Sequence, residues 1–179
     1  MPPHRLIIQT HRLRLRSWRE DDRDAFAALN ADPDVTRDLG GPLGRNASDA
    51  NLDRYISAFN RLGFCRWAVE TRAGGFLGYA GAMAVGTTHP LGEHHDIGWR
   101  LTRAAWGYGY ATEAAGAALE DIFSRAGLTE VLSYTAADNL RSQAVMARLN
   151  LTRDASRDFT VHDERLGSWH GLVWVARRR

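Results

Sequence analysis

Arg103-Ala104-Ala105-Trp106-Gly107-Tyr108-Gly109-Tyr110-Ala111-Thr112-Glu113-Ala114 follows a strand-like run, Asp96-Ile97-Gly98-Trp99-Arg100-Leu101. It opens an Ala-rich stretch, Tyr110 to Ala126, that reads as a helix closed by Gly127. A strand, a glycine-rich turn and a helix in that order build an anion site from main-chain atoms. The first N–H groups of a helix find no carbonyl inside it, and the macrodipole favours negative charge there. Gly107 and Gly109 carry no side chain to hold a phosphate off. The stretch reads either as a pyrophosphate cradle or as a glycine turn that simply starts a buried helix. Two phosphate loops do not fit. The dinucleotide fingerprint wants glycine where Thr112 stands, and the motif falls in mid-chain after several strands. The P-loop needs a lysine, and the chain has none.

Upstream, Leu6–Ile8 is apolar and Leu13-Arg14-Leu15-Arg16 alternates like a half-buried strand. Asp21 or Asp22 is placed to cap a helix running to about Asn30, with Phe26 and Leu29 on one face, and Asp32-Pro33 ends it. Leu39–Gly44 is a loop. Ser48 is placed to cap a second helix, with Leu52, Tyr55, Ile56 and Phe59 at helical spacing and Leu62-Gly63 at its end. Arg66–Glu70, Phe76–Val85 and the Asp96–Leu101 run read as strands, with Gly74-Gly75 as a hairpin turn and Thr87–His95 as a loop. Downstream, Val131–Ala136 is a strand and Arg141–Leu149 a helix. Asn150 stands where a helix needs a left-handed residue. Final strands fall near Arg153–Val161 and Trp169–Arg177. Strands and helices mix without a linker or repeat, so residues 1–179 form one α+β (or mixed α/β) domain.

Composition narrows the class. The chain has 179 residues, 44% hydrophobic and 25% charged, which is ordinary for a globule and excludes disorder or a disulfide scaffold. All 23 basic residues are arginine, against 21 acidic ones. Arginine suits phosphate through its forked donors, but so complete a replacement of lysine looks more like codon bias. Net charge of +2 is too small to argue for nucleic acid. Cys65 is the lone cysteine, so no internal disulfide and no Cys-rich zinc site is possible. Met1-Pro2-Pro3-His4-Arg5 lacks a hydrophobic core of signal-peptide length, and no apolar run approaches membrane-spanning length. A cytoplasmic protein is expected.

Three motifs occur in order: Ile97-Gly98-Trp99-Arg100-Leu101, Trp106–Ala114, and Asn139-Leu140-Arg141-Ser142. Together they resemble the GNAT superfamily of acyl-CoA-dependent N-acetyltransferases, most closely its RimJ/RimL-like branch, over nearly the whole chain. The resemblance implies a mixed, mostly antiparallel twisted sheet of about seven strands flanked by about four helices. It implies a V-shaped splay between the fourth strand, ending at Leu101, and the fifth, Val131–Ala136. Acetyl-CoA is then the co-substrate. Its pantetheine arm would bond the backbone near Trp99 and Leu101. Its pyrophosphate would sit on the N–H groups of Trp106, Gly107, Tyr108, Gly109, Tyr110, Ala111 and Thr112. Two positions depart from the superfamily pattern. Ala104 stands where Gln or Arg usually opens the loop, with Arg103 adjacent and within possible reach of a phosphate. Met146 stands where a tyrosine often serves as the thiolate acid.

Acetyl transfer to an amine needs a base for the amine proton and a donor near the departing sulfur, and much of the rate comes from alignment. Asp96, at the start of the central strand, is the first candidate base, acting through one or two waters. His95 and His94 are alternatives; strand alternation puts His95 and Asp96 on opposite faces. Ser142 is the candidate donor at the thiol, and Asn139 the candidate contact to pantetheine. Both residues also read as helix-capping groups. Of the tryptophans, most read as core, Trp67 and Trp174 clearest. The terminal Arg177-Arg178-Arg179 reads as a solvated end. The resemblance implies an amine acceptor, either a protein N-terminus or a small molecule, and a homodimer is compatible with it. No metal, membrane or direct nucleic-acid partner is expected. A non-catalytic acetyl-CoA-binding sensor or scaffold is the alternative function.

Overall fold

A computed structural model of the chain describes residues 7–163 and 167–178; Met1–Leu6 and Arg179 lie outside the described residues. In chain order the elements are β1 (Ile7–Gln9), β2 (Leu13–Arg16), α1 (Arg23–Ala31), α2 (Pro33–Thr36), α3 (Arg45–Leu62), β3 (Arg66–Thr71), β4 (Phe76–Val85) and β5 (His94–Leu101). Then follow α4 (Tyr110–Ser124), β6 (Glu130–Thr135), α5 (Leu140–Arg148), β7 (Thr152–Arg153), β8 (Phe159–Asp163) and β9 (Gly167–Arg177). The sheet runs β1-β2-β3-β4-β5-β6-β9-β7, with β8 also on β9. Every pairing is antiparallel except β5–β6. A parallel neighbour needs a crossover, and α4 supplies it. The expected mixed, mostly antiparallel sheet is present, with nine strands because β1 and β7 are short additions at its edges.

β5 and β6 meet at one residue pair, Asp96 and Leu132, and diverge beyond it. Ser133 marks the divergence: its buried hydroxyl donates to the Ile97 carbonyl at 3.0 Å. The splay thus lies between the strand ending at Leu101 and the strand opening with Glu130.

Period-two and period-3.6 patterning place the core. Leu13, Leu15, Trp67 and Val69 are fully buried on paired strands, and Phe26, Leu29, Leu52 and Tyr55 face them from α1 and α3. Ala114, Ala115 and Ala118 of α4 are fully buried, and such small residues let the helix lie close on the sheet. Trp67 and Trp174 are core, as is Cys65, whose thiol burial pushes up.

Several local expectations are corrected. Asp22 precedes α1, but its carboxylate does not cap it. It takes both Nη groups of the buried Arg16, at 2.7 and 2.8 Å. Arg16 is therefore not the outward residue that alternation suggests. The N-cap of α3 is Gly44, not Ser48. Ser48 is fully buried in the first turn, where its hydroxyl accepts from Asn30 Nδ2 at 2.9 Å. The continuous strand expected over Arg153–Val161 is broken into β7, a 3₁₀ turn over Ala155–Arg157, and β8. Asp154 makes the break by accepting from the Ser156 N–H and hydroxyl. Asn150 does adopt the left-handed conformation, φ 57°.

Candidate active site

The splay opens a cleft of about 1130 Å³. Its walls are β5, the loop before α4, the start of α5, and the α2 end of the helical layer. The alternative bases His94 and His95 do not line it, whereas Asp96, Trp99, Leu101, Trp106 through Thr112, Asn139 and Ser142 all do. They come from three separate elements, so the fold brings together what the sequence disperses.

The loop is an anion site by construction. Gly107 and Gly109 have φ of 84° and 78°, the left-handed region open to glycine. Glu113 is the first residue of α4 whose N–H finds a carbonyl, that of Gly109 at 3.1 Å. The N–H groups of Tyr110, Ala111 and Thr112 precede that ladder and carry the helix's positive end. The Thr112 hydroxyl is buried in the same place without a partner. One expectation fails: the Trp106 N–H is taken by the Arg103 carbonyl at 3.1 Å and is not free for a phosphate. The Trp106 indole instead donates to the Leu101 carbonyl at 3.0 Å, with Arg141 over its ring at 3.9 Å. Arg103 does not reach the loop either, because it pairs with Asp34 of α2.

A clip holds this loop from outside. Arg12, in the β1–β2 turn, donates from Nη1 to the Tyr108 carbonyl at 2.8 Å and from Nε to Glu113 at 2.6 Å. The Arg12 N–H and Thr10 hydroxyl complete the Glu113 carboxylate, at 2.8 and 2.6 Å. Burial alone would raise the Glu113 carboxyl, but these bonds outweigh it and hold it below the ordinary carboxylate range. No pattern near Arg12 announces this role; the partners are about a hundred residues apart.

Asn139 caps α5 by accepting the Ser142 N–H at 3.1 Å. The capping reading of Asn139 is thus correct, and it coexists with a place on the cleft wall. Met146 is buried, so the usual tyrosine position offers no proton here.

On β5, Asp96 and Arg66 form an ion pair at 2.7 Å, both side chains mostly buried. The other carboxylate oxygen, Oδ1, is buried without a partner. His95 turns the opposite way onto the Phe64 ring, where burial first and then nearby His94 lower its pKa. It does not line the cleft. His94 lies beside His89 and Tyr134, with its Nδ1 2.8 Å from the Gly92 carbonyl. A carbonyl only accepts, so Nδ1 carries the proton and the buried Nε2 is left unpartnered. Tyr134 also lines the cleft; burial, then the Asp96 charge, push its hydroxyl up, so it stays a proton donor. The tryptophans divide differently from expectation. Trp18, Trp67 and Trp174 are buried, whereas Trp99, Trp106 and Trp169 line the cleft.

Comparison with known proteins agrees with this geometry. Residues 12–152 match the acetyltransferase (GNAT) domain. The FsC-acetyl coenzyme A-N(2)-transacetylase of Aspergillus fumigatus is 31% identical over 152 residues, covering 81% of this chain. The chain spans 64% of that relative's length. An acetyltransferase structure from Agrobacterium tumefaciens superposes with a TM-score of 0.81 at 24% identity, covering 97% of this chain and 95% of that one. The ribosomal L7/L12 α-N-protein acetyltransferase RimL, solved in complex with coenzyme A, superposes with a TM-score of 0.77 at 17% identity, covering 96% and 98%. With the splayed strands, the glycine loop and the domain match in agreement, the chain belongs to the GNAT acetyltransferase family, whose enzymes draw their acetyl group from acetyl-CoA.

Proposed function

We propose that the chain is an N-acetyltransferase that moves an acetyl group from acetyl-CoA to a primary amine, by direct attack in a ternary complex. The acceptor is a protein N-terminus or a small-molecule amine. The observation that supports this reading is the splay of β5 from β6, which opens onto the unpaired N–H groups at the start of α4. Gly107 to Thr112 hold the pyrophosphate, and Trp99 and Leu101 offer main-chain groups to the pantetheine arm. The bound co-substrate supplies a thioester carbonyl already activated for transfer. Asn139 and Ser142 stand at the thiol end, where the Ser142 hydroxyl donates toward the departing sulfur.

Asp96 takes the amine proton through water. Its Oδ1 is buried and lacks a donor, while Arg66 anchors the other oxygen. Asp96→Asn should lower kcat by roughly a hundredfold, with CoA affinity retained. A kcat close to the parent's removes Asp96 as the base.

The proposal is tested first by thermal shift with acetyl-CoA, CoA, NAD and ATP in parallel. A ligand at a hundred times its Kd adds about 2.7 kcal/mol, a shift of several degrees at this size. Stabilisation by the two CoA species alone is expected, followed by thiol release when primary amines are supplied. Stabilisation without thiol release from any amine would favour the donor-binding sensor instead.

A further inference from the structure

Asp96, Gly98 and Arg100 project to one face of β5, two residues apart. Along this row the cleft is floored by Arg66 and Tyr79 and edged by Val35, Asp38 and Leu39. Two arginines on this row are treated differently by the fold. Arg66 has a carboxylate, Asp96, at 2.7 Å. Arg100 has no carboxylate within ion-pairing distance among the described residues, and its Nε is buried without any partner. Its neighbours are neutral: Nη1 donates to Asn30 Oδ1, and the guanidinium lies 5.4 Å from the centre of the Tyr79 ring.

The neutral partners are themselves built in. Asn30 and Ser48 are fully buried polar residues on α1 and α3. Asn30 spends its Nδ2 on Ser48 and its Oδ1 on Arg100. Burying two polar side chains costs stability unless they are bonded, and here the relay ends on the guanidinium and orients it. The other mostly buried guanidiniums, Arg16 and Arg66, have been given their counter-charges by the protein. A permanently charged, oriented and unneutralised fork in a cleft is a receptor for a planar anion.

We infer that Arg100 binds a carboxylate carried by the acceptor, so that the substrate is an amine bearing a carboxylate rather than a protein N-terminus. This rests on the acetyltransferase reading and deepens it. Arg100 lies on the Asp96 row of β5, whereas Trp99 and Leu101 alternate to the other face. A carboxylate on the acceptor and a phosphate of the donor are the two anions that could reach it, and the experiment separates them.

The test measures thiol release from acetyl-CoA with α- to long ω-amino acids, each beside its carboxamide, for the parent, Arg100→Gln and Arg100→Lys. CoA affinity is measured on each protein by calorimetry. A charge-assisted pair at such a site corresponds to a preference of roughly tenfold or more in kcat/KM for the carboxylate over the amide. That preference should appear at one amine-to-carboxylate spacing in the parent and collapse in Arg100→Gln. Arg100→Lys should keep part of it, and CoA affinity should be unchanged in both. Amides or blocked peptides accepted as well as carboxylates by the parent would overturn the inference while leaving acetyl transfer standing. A loss of CoA affinity in Arg100→Gln with no change in the preference would assign Arg100 to the donor and also overturn it. No turnover of any amine would instead remove the acetyltransferase reading and the inference with it. The parent's panel decides even if a variant fails to fold.

Discussion

Gly109→Val should bind CoA at least roughly a hundredfold more weakly, a loss of about 2.7 kcal/mol. Gly109 precedes α4 with φ 78° and lines the cleft where the free N–H groups converge. A β-branched residue there meets left-handed backbone, which costs an L-residue about 1–2 kcal/mol, and its two methyl groups branch from a carbon already in van der Waals contact, 3.6 Å from Arg12 Nη2. The strain is relieved only by moving the loop, which pulls the Tyr108 carbonyl off Arg12 and turns the N–H groups away. Gly107→Ala separates the two effects. Its added carbon meets nothing within 4 Å, so it carries backbone strain alone. Calorimetric titration with CoA, beside the melting temperature of each variant, checks the prediction. The fold should survive with a melting temperature a few degrees lower. Parent-like affinity in Gly109→Val would mean that the loop is not the cradle.

Arg16→Leu should be the most damaging single change to stability. The Arg16 guanidinium bonds Asp22 through both Nη groups and Glu70 through Nε at 2.7 Å, all three side chains buried. The bonds to Asp22, then to Glu70, raise its pKa against the opposing effect of burial. Removing one member of a buried ion cluster strands the others, at about 3–5 kcal/mol. Here two carboxylates are left facing each other, with only Arg14 at 4.0 Å from Glu70. At 2–4 °C per kcal/mol for a domain of this size, the melting temperature should fall by roughly 6–20 °C. A triple variant with Asp22 and Glu70 also made neutral and apolar should recover much of the loss, since buried ion clusters are often replaceable by packed hydrophobes. A single variant that melts with the parent would show that Arg16 is solvated enough to be dispensable.

The glycine loop and the start of α5 were legible in the sequence because their determinants are local. Gly107 and Gly109 mark positive φ, Asn139 marks a cap, Asn150 marks a helix end, and each can be read from its own neighbourhood. The cleft face that carries Asp96 and Arg100 was not. Arg100 meets Asn30 across a separation of 70 residues, and Arg66 meets Asp96 across 30. Nothing in the pattern around Asn30 or Ser48 distinguishes a buried relay from ordinary helix polarity, so the position of Ser48 reads equally as a cap. The Arg12 clip was hidden for the same reason. Trp106 shows the limit of motif reading even within the glycine loop. The residue sits in the loop as expected, but a local 3₁₀ turn over Arg103–Ala105 claims its N–H.

The single contact between β5 and β6 has a consequence for how this protein can change. On the proposed reading, the pantetheine arm occupies a missing rung of the sheet and is read by main-chain groups, and the pyrophosphate is read the same way. Recognition written in the backbone is blind to side-chain identity, so it survives as long as the strands keep their spread. A structure only 24% identical shares this architecture at a TM-score of 0.81. On the same proposed reading the acceptor face is written in side chains, Asp96, Arg66 and Arg100 among them. The donor half of the cleft is then a fixed socket, and the acceptor half is where a few substitutions would give the same socket a new partner.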